Sequence, residues 1–260
     1  MATLAPNLSD VPASAAGSEQ RFFFKLACAM ALLMVAGFST QFLMGRSTFA
    51  APLRVHAHAV IYFGWVMLFV AQANAAMRRD FSMHRTLGKL AAVWIPMMIA
   101  AALIVIVAKT RAGQAPFFFF PQEFLVANPA TLVCFAGLTA WAVANRRRSD
   151  WHMRLHVCAF AAISGPGFGR LLPMPLLTPY AFEAAVLAGL IFPVVGMVRD
   201  LRVHGKVHPA WLRGTAAIVV TLIAADAIAR SPIGDALYRT AVAGSPGAAV
   251  PGLALPPPPV

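Results

Sequence analysis

The stretch GKLAAVWIPMMIAAALIVIVAK, from Gly88 to Lys109, decides the fold class. Between Lys89 and Lys109 it carries no charged residue, and a helix rising about 1.5 Å per residue over such a run matches the roughly 30 Å hydrocarbon core of a bilayer. The same pattern recurs along the chain. Of its 260 residues 60% are hydrophobic and 12% charged, with a mean hydropathy of +0.72. A soluble domain carries about 25% charged residues, so the lipid bilayer is the first partner this composition implies.

Seven segments are long and apolar enough to cross: 22–44, 56–77, 88–109, 124–145, 152–172, 179–199 and 212–230. The expected fold is an all-α, polytopic membrane helix bundle with seven transmembrane helices. One membrane domain covers 21–240. Low-complexity segments at 1–20 and 241–260, the latter rich in proline, are expected to be disordered. Residues 1–20 contain no basic residue and so lack the start of a secretory signal.

The net charge of +12 sits in short runs between apolar segments, the pattern of topogenic loops and not of a nucleic-acid-binding face. With the N-terminus inside, fourteen of the 21 Lys and Arg fall on the inner side and seven on the outer. The expectation is therefore N-terminus in and C-terminus out, multi-pass. Cys28, Cys134 and Cys158 lie in separate apolar segments and read as small hydrophobes. Pro96 and Pro193 are expected to kink their helices, and SGPGFG (Ser164–Gly169) to break or distort the fifth span. The run Phe117–Phe120 reads as an interfacial anchor.

The histidines carry the chemistry. His84 stands at the start of the third span, and His152 and His156 at the start of the fifth, on the same side. MHRTLGKLAAV (Met83–Val93) and WHMRLHVCAFA (Trp151–Ala161) echo each other: each has a His at the mouth of a span, Leu three residues on, and a short charged turn before it. The i,i+4 spacing stacks His152 and His156 on one helical face. Imidazole ligates haem iron, zinc and iron, so His84 with His152 or His156 could clamp haem b or a zinc or iron ion. Arg85 and Arg154 would then meet haem propionates. The bland alternative is that these are interfacial histidines.

A second polar group is expected at the outer end: His58 and Arg170 with Glu183 and Asp226, as ionisable residues in spans usually face the bundle in pairs. It would serve a proton, quinol or small-solute site, or only structural pairing. HxxxH here lacks the adjacent Glu of HExxH, so a metalloprotease is not implied.

HAHAVIYFGWVMLFVAQ (His56–Gln72), HRTLGKL (His84–Leu90), WHMRLHVCAFAAISGPGFGRLLP (Trp151–Pro173) and KVHPAWLRG (Lys206–Gly214) resemble a group of bacterial multi-spanning membrane proteins with H-R-x-L-G and H-x-R-L signatures. The resemblance covers roughly 55–215 and implies a bacterial inner-membrane location but no particular activity. It marks His58, His84, Arg85, Gly88, His152, Arg154, Arg170 and His208, while His156 falls outside the pattern. Histidines on paired hairpins are also remotely similar to membrane b-type cytochromes. Three functions follow as expectations: a haem- or metal-binding electron-transfer protein working with quinol or another membrane protein, a non-catalytic assembly factor or accessory subunit, or a small-solute or proton-coupled transporter.

Overall fold

The computed structural model describes residues 13–46 and 49–256, and side chains from residue 17 onward. The part of the expected 1–20 disordered segment that covers 1–12 lies outside the described residues, while 13–20 belong to the first helix. Every regular element described is helical: α1 Ala13–Leu43, α2 Leu53–Met77, α3 Phe81–Arg111, α4 Pro121–Ala144, α5 Ser149–Ala162, α6 Gly165–Leu171, α7 Ala181–Ala188, α8 Ile191–His204, α9 Pro209–Ala229 and α10 Pro232–Val242. Among the described residues six stretches are long and apolar enough to cross a membrane: α1 from Gly17, α2, α3, α4, α7 and α8 taken together, and α9. Side chains such as Leu32, Val60, Met67, Val133 and Ile223 point outward and are mostly exposed, giving the bundle an apolar coat. Its interior is filled by Met30, Met98, Phe135, Leu155, Phe160 and Trp211.

The fifth apolar segment is not one helix. α5 ends at Ala162 because Pro166, at the start of α6, has no N–H to give to the carbonyl four residues back. The buried Ser164 hydroxyl donates to the Ala161 carbonyl at 2.8 Å, satisfying one acceptor at the break. Nevertheless α5 and α6 together follow α1 in one direction. Arg154 meets Glu19, Gly167 lies against Gly37, and the Arg170 carbonyl accepts from Gln41 at 2.9 Å. These contacts define two ends of the bundle, a Glu19 end and a Gln41 end.

The sixth segment also differs from expectation. Pro193 does not kink the middle of a helix: the helix is interrupted at Gly189–Leu190, and Pro193 falls in the first turn of α8, where its missing N–H costs little. A Cβ on Gly189 would sit 2.5 Å from Ser164 Oγ and 2.7 Å from the Ala161 carbonyl, so the two broken segments cross at their breaks. Pro96 lies inside a continuous α3, as does Pro129 in α4.

The proline-rich end, through residue 256, is placed on the Gln41 end of the bundle. The Gln122 main-chain N–H donates to the Gly252 carbonyl at 2.9 Å, and the buried Tyr238 hydroxyl donates to the Val250 carbonyl at 3.0 Å. The amphipathic α10 sits below this segment. Phe117, Phe118 and Phe119 pack into an aromatic group with Phe124 and Phe182, while Phe120 lies under Arg230, so the run works as a packing element at the head of α4.

Candidate functional site

At the Glu19 end, two helical hairpins display imidazoles in equivalent ways. His84 opens α3 and its Nδ1 lies 3.2 Å from the Gln72 carbonyl near the end of α2. His152 opens α5 and its Nδ1 lies 2.9 Å from the Ala142 carbonyl near the end of α4. A carbonyl only accepts, so both Nδ1 atoms must carry the proton. In the neutral imidazole that leaves the Nε2 lone pair free on each ring, the tautomer of a histidine presented to a metal. The ring centres stand 6.1 Å apart, edge to face. The His156 ring is packed 4.5 Å from that of His152, one turn deeper along α5. A metal–nitrogen bond of about 2.0–2.1 Å puts two ring centres on one ion roughly 5–6 Å apart, and the 6.1 Å spacing of His84 and His152 lies at the upper end of that range. His156 does not complete a closed trio: among the described residues the three imidazoles are not a set with all ligand atoms within 4.8 Å. Gln72, whose main chain holds His84, also has a buried Oε1 with no hydrogen-bond partner.

The two arginines expected beside these imidazoles do other things. Arg85 is exposed. Arg154 is 2% exposed and each of its three guanidinium nitrogens already donates: Nε to Asp200, Nη1 to the Asp150 carbonyl, Nη2 to both Glu19 and Asp200. Lying two residues from each histidine of α5, it points to a different face of the helix. The Asp200 carboxylate in turn accepts from the Trp211 indole at 3.0 Å and the His208 main-chain amide at 3.2 Å. This network ties α1, α5, α8 and α9 together and is structural in character. His208 joins it by capping α9: its Nδ1 accepts from the Ala210 amide at 3.1 Å, so Nε2 carries the proton and donates to Asp150 at 2.9 Å. Burial, then the charge of Arg154, hold this imidazole below the usual histidine range, against the opposing pull of Asp150 and Asp200.

At the Gln41 end the outer polar group divides in two. Arg170 lies over the Phe38 ring at 3.9 Å, donating to the Pro166 carbonyl at 2.7 Å. His58 stacks on Tyr62 at 4.2 Å. Glu183 and Asp226 come together elsewhere, at the start of α7 and the end of α9, where Arg230 meets them at 4.0 and 2.6 Å. They are joined by Glu123, which the apolar run beginning at 124 leaves outside the expected span. Pro121 at the first helical position is the signal that could have found it, since it moves the helix start back and puts Glu123 in the first turn.

No protein family, curated protein or solved structure matches this chain. The fold and the site define its class: among the described residues it is all-helical, with six stretches long and apolar enough to cross a membrane, an imidazole cluster at one end and a carboxylate cluster at the other.

Proposed function

We propose that the protein is a bacterial inner-membrane metalloprotein of redox type, with His84 and His152 holding a transition-metal centre near the cytoplasmic face. One observation carries this: both Nδ1 atoms are tied to main-chain carbonyls of the preceding helix, which leaves Nε2 free on each of two rings whose centres stand 6.1 Å apart. Imidazole donors suit iron and copper, the redox-active choices among the metals they commonly bind. Two imidazoles from separate hairpins serve either a bare ion or the axial positions of haem b, and His156 packs on the His152 ring behind them.

The membrane arrangement goes with this reading. α5 and α6 together would make a seventh crossing, supported by their shared direction with α1. The N-terminus would be cytoplasmic, as fourteen of the 21 Lys and Arg fall at the Glu19 end. A membrane-soluble reductant of quinol type is the fitting electron partner, since it reaches a bundle through lipid.

The test is metal analysis with absorption and paramagnetic resonance spectra on protein purified from membranes without added chelator. About one iron or copper per chain, lost in both His84→Ala and His152→Ala, is expected. A b-type absorbance would replace the bare ion by haem at the same histidines. Stoichiometric zinc would remove the redox role. Metal-free protein that still folds, and takes up no iron or copper on titration, would overturn the reading.

A further inference from the structure

The second cluster lies at the other end of the bundle and is chemically distinct. Glu123 stands in the first turn of α4, Glu183 in the first turn of α7 and Asp226 in the last turn of α9. Each offers a carboxylate oxygen, and the three oxygens lie within 4.8 Å of one another. Glu123 is 2% exposed and its Oε2 has no hydrogen-bond partner, and the Oε2 of Glu183 is likewise buried and unpartnered. A buried carboxylate in that condition is expensive unless a positive charge or a proton meets it.

Arg230 supplies one charge, and it is unevenly shared. It donates to Asp226 at 2.6 Å and reaches Glu183 at 4.0 Å. Three carboxylates thus face one guanidinium, and the deepest of them, Glu123, has no ion pair within 4 Å among the described residues. The side chain of Arg230 is 40% exposed and lies over the Phe120 ring, so it can give way without opening the core.

From this geometry we infer that Glu123, Glu183 and Asp226 form a binding site for a hard divalent cation of calcium size. The donors are all oxygen, which selects against soft transition metals. Calcium takes oxygens at about 2.3–2.6 Å, so any two ligands of one ion lie within roughly 5 Å, as these do. Magnesium demands about 2.0–2.1 Å and a span nearer 4 Å, so it fits an unadjusted cluster less well. With the charge bias described above, this end faces away from the cytoplasm, where calcium is abundant and weak sites are useful. The ion would be bound in place of part of the Arg230 contact and would hold the starts of α4 and α7 to the end of α9.

The test uses the full chain in detergent or nanodiscs, stripped with chelator and titrated with calcium chloride by calorimetry and thermal unfolding. Saturable binding with Kd on the order of 10⁻⁴–10⁻³ M and a rise in the unfolding temperature are expected, by analogy with extracellular calcium modules. Magnesium should bind about tenfold more weakly. Glu123→Gln and Asp226→Asn should each weaken calcium about tenfold or more, and Arg230→Gln should strengthen it. Should Glu123→Gln fail to fold, Asp226→Asn, at a half-exposed position, decides alone. His152→Ala should leave calcium binding unchanged, which separates this site from the imidazole centre. Absence of calcium binding up to about 10 mM, ten times the weakest expected Kd, overturns the inference. So does calcium binding that survives both carboxylate variants. A pH-dependent but calcium-independent unfolding temperature that Glu123→Gln abolishes would also overturn it, since the cluster would then hold a proton.

Discussion

Arg154 and Asp200 face each other through two parallel hydrogen bonds, Nε to Oδ2 at 3.0 Å and Nη2 to Oδ1 at 2.8 Å, with both side chains at most 3% exposed. Removing either partner leaves a buried charge with only a secondary partner, Glu19 for Arg154 at 2.9 Å or Arg199 for Asp200 at 3.9 Å, and the loss approaches the roughly 3–5 kcal/mol of a broken buried pair. Asp200→Asn and Arg154→Met are each expected to lower the unfolding temperature of the detergent-solubilised protein by many degrees. The double variant should be less damaging than the sum, because the pair is lost together. Strict additivity in the thermal unfolding of this cycle would show that the two side chains do not depend on each other.

That pair also marks how far the sequence could be read. Composition and apolar run length located each of the six described stretches able to cross a membrane to within about ten residues, because a bilayer sets the length such a segment needs. The equivalence of His84 and His152 was legible too, since both follow a short turn in the same local pattern. What escaped was set by tertiary contact. Proximity in sequence puts Arg154 beside the histidines as a partner for haem propionates, but Glu19 and Asp200, far along the chain, take its donors. Glu123 was hidden by a boundary error of three residues, and the order of the tail depends on carbonyl partners that no local pattern reveals.

α1 and α6 approach through glycine. A Cβ at position 37 would lie 2.6 Å from the Gly167 carbonyl oxygen, a backbone atom that cannot swing aside. Gly37→Ala should force the helices apart and destabilise the bundle by about 1–3 kcal/mol, the usual range for overpacking. Gly137→Ala, with nothing within 4 Å of the added carbon, is the matched control and should be tolerated. Thermal unfolding of the two variants side by side makes the comparison.

His208 gives the Glu19 end a pH dependence. Its folded-state pKa lies below the ordinary 6.5, so the unfolded chain binds the extra proton first. Stability is therefore full above about pH 6.5 and falls as the pH drops through that value toward the folded pKa. The structural reason is that protonation would put a hydrogen on Nδ1, which now accepts from the Ala210 amide and caps α9. His208→Asn retains a capping oxygen and should flatten the dependence between about pH 5 and 7 while leaving stability at pH 8 nearly unchanged. A slope in unfolding temperature over that range equal to that of the unsubstituted protein would assign it to other groups.

The ordered tail closes the Gln41 end, and its attachment rests on few contacts. Tyr238 donates to the Val250 carbonyl, the Gln122 main-chain N–H donates to Gly252, and a Cβ on Gly252 would come 2.4 Å from Gln122 Oε1 and 3.0 Å from the Tyr238 ring. Gly252→Leu should therefore unseat the tail where Gly244→Ala, whose added carbon meets nothing, disturbs only a left-handed turn with φ of 64°. Tyr238→Phe removes one hydrogen bond and should cost about 1 kcal/mol. The local readout is amide exchange: the Gln122 N–H should lose protection in Gly252→Leu, while the α5 amides beside Arg154 keep theirs. Equal loss at both ends would mean that the tail supports the whole bundle and not only the end that it covers.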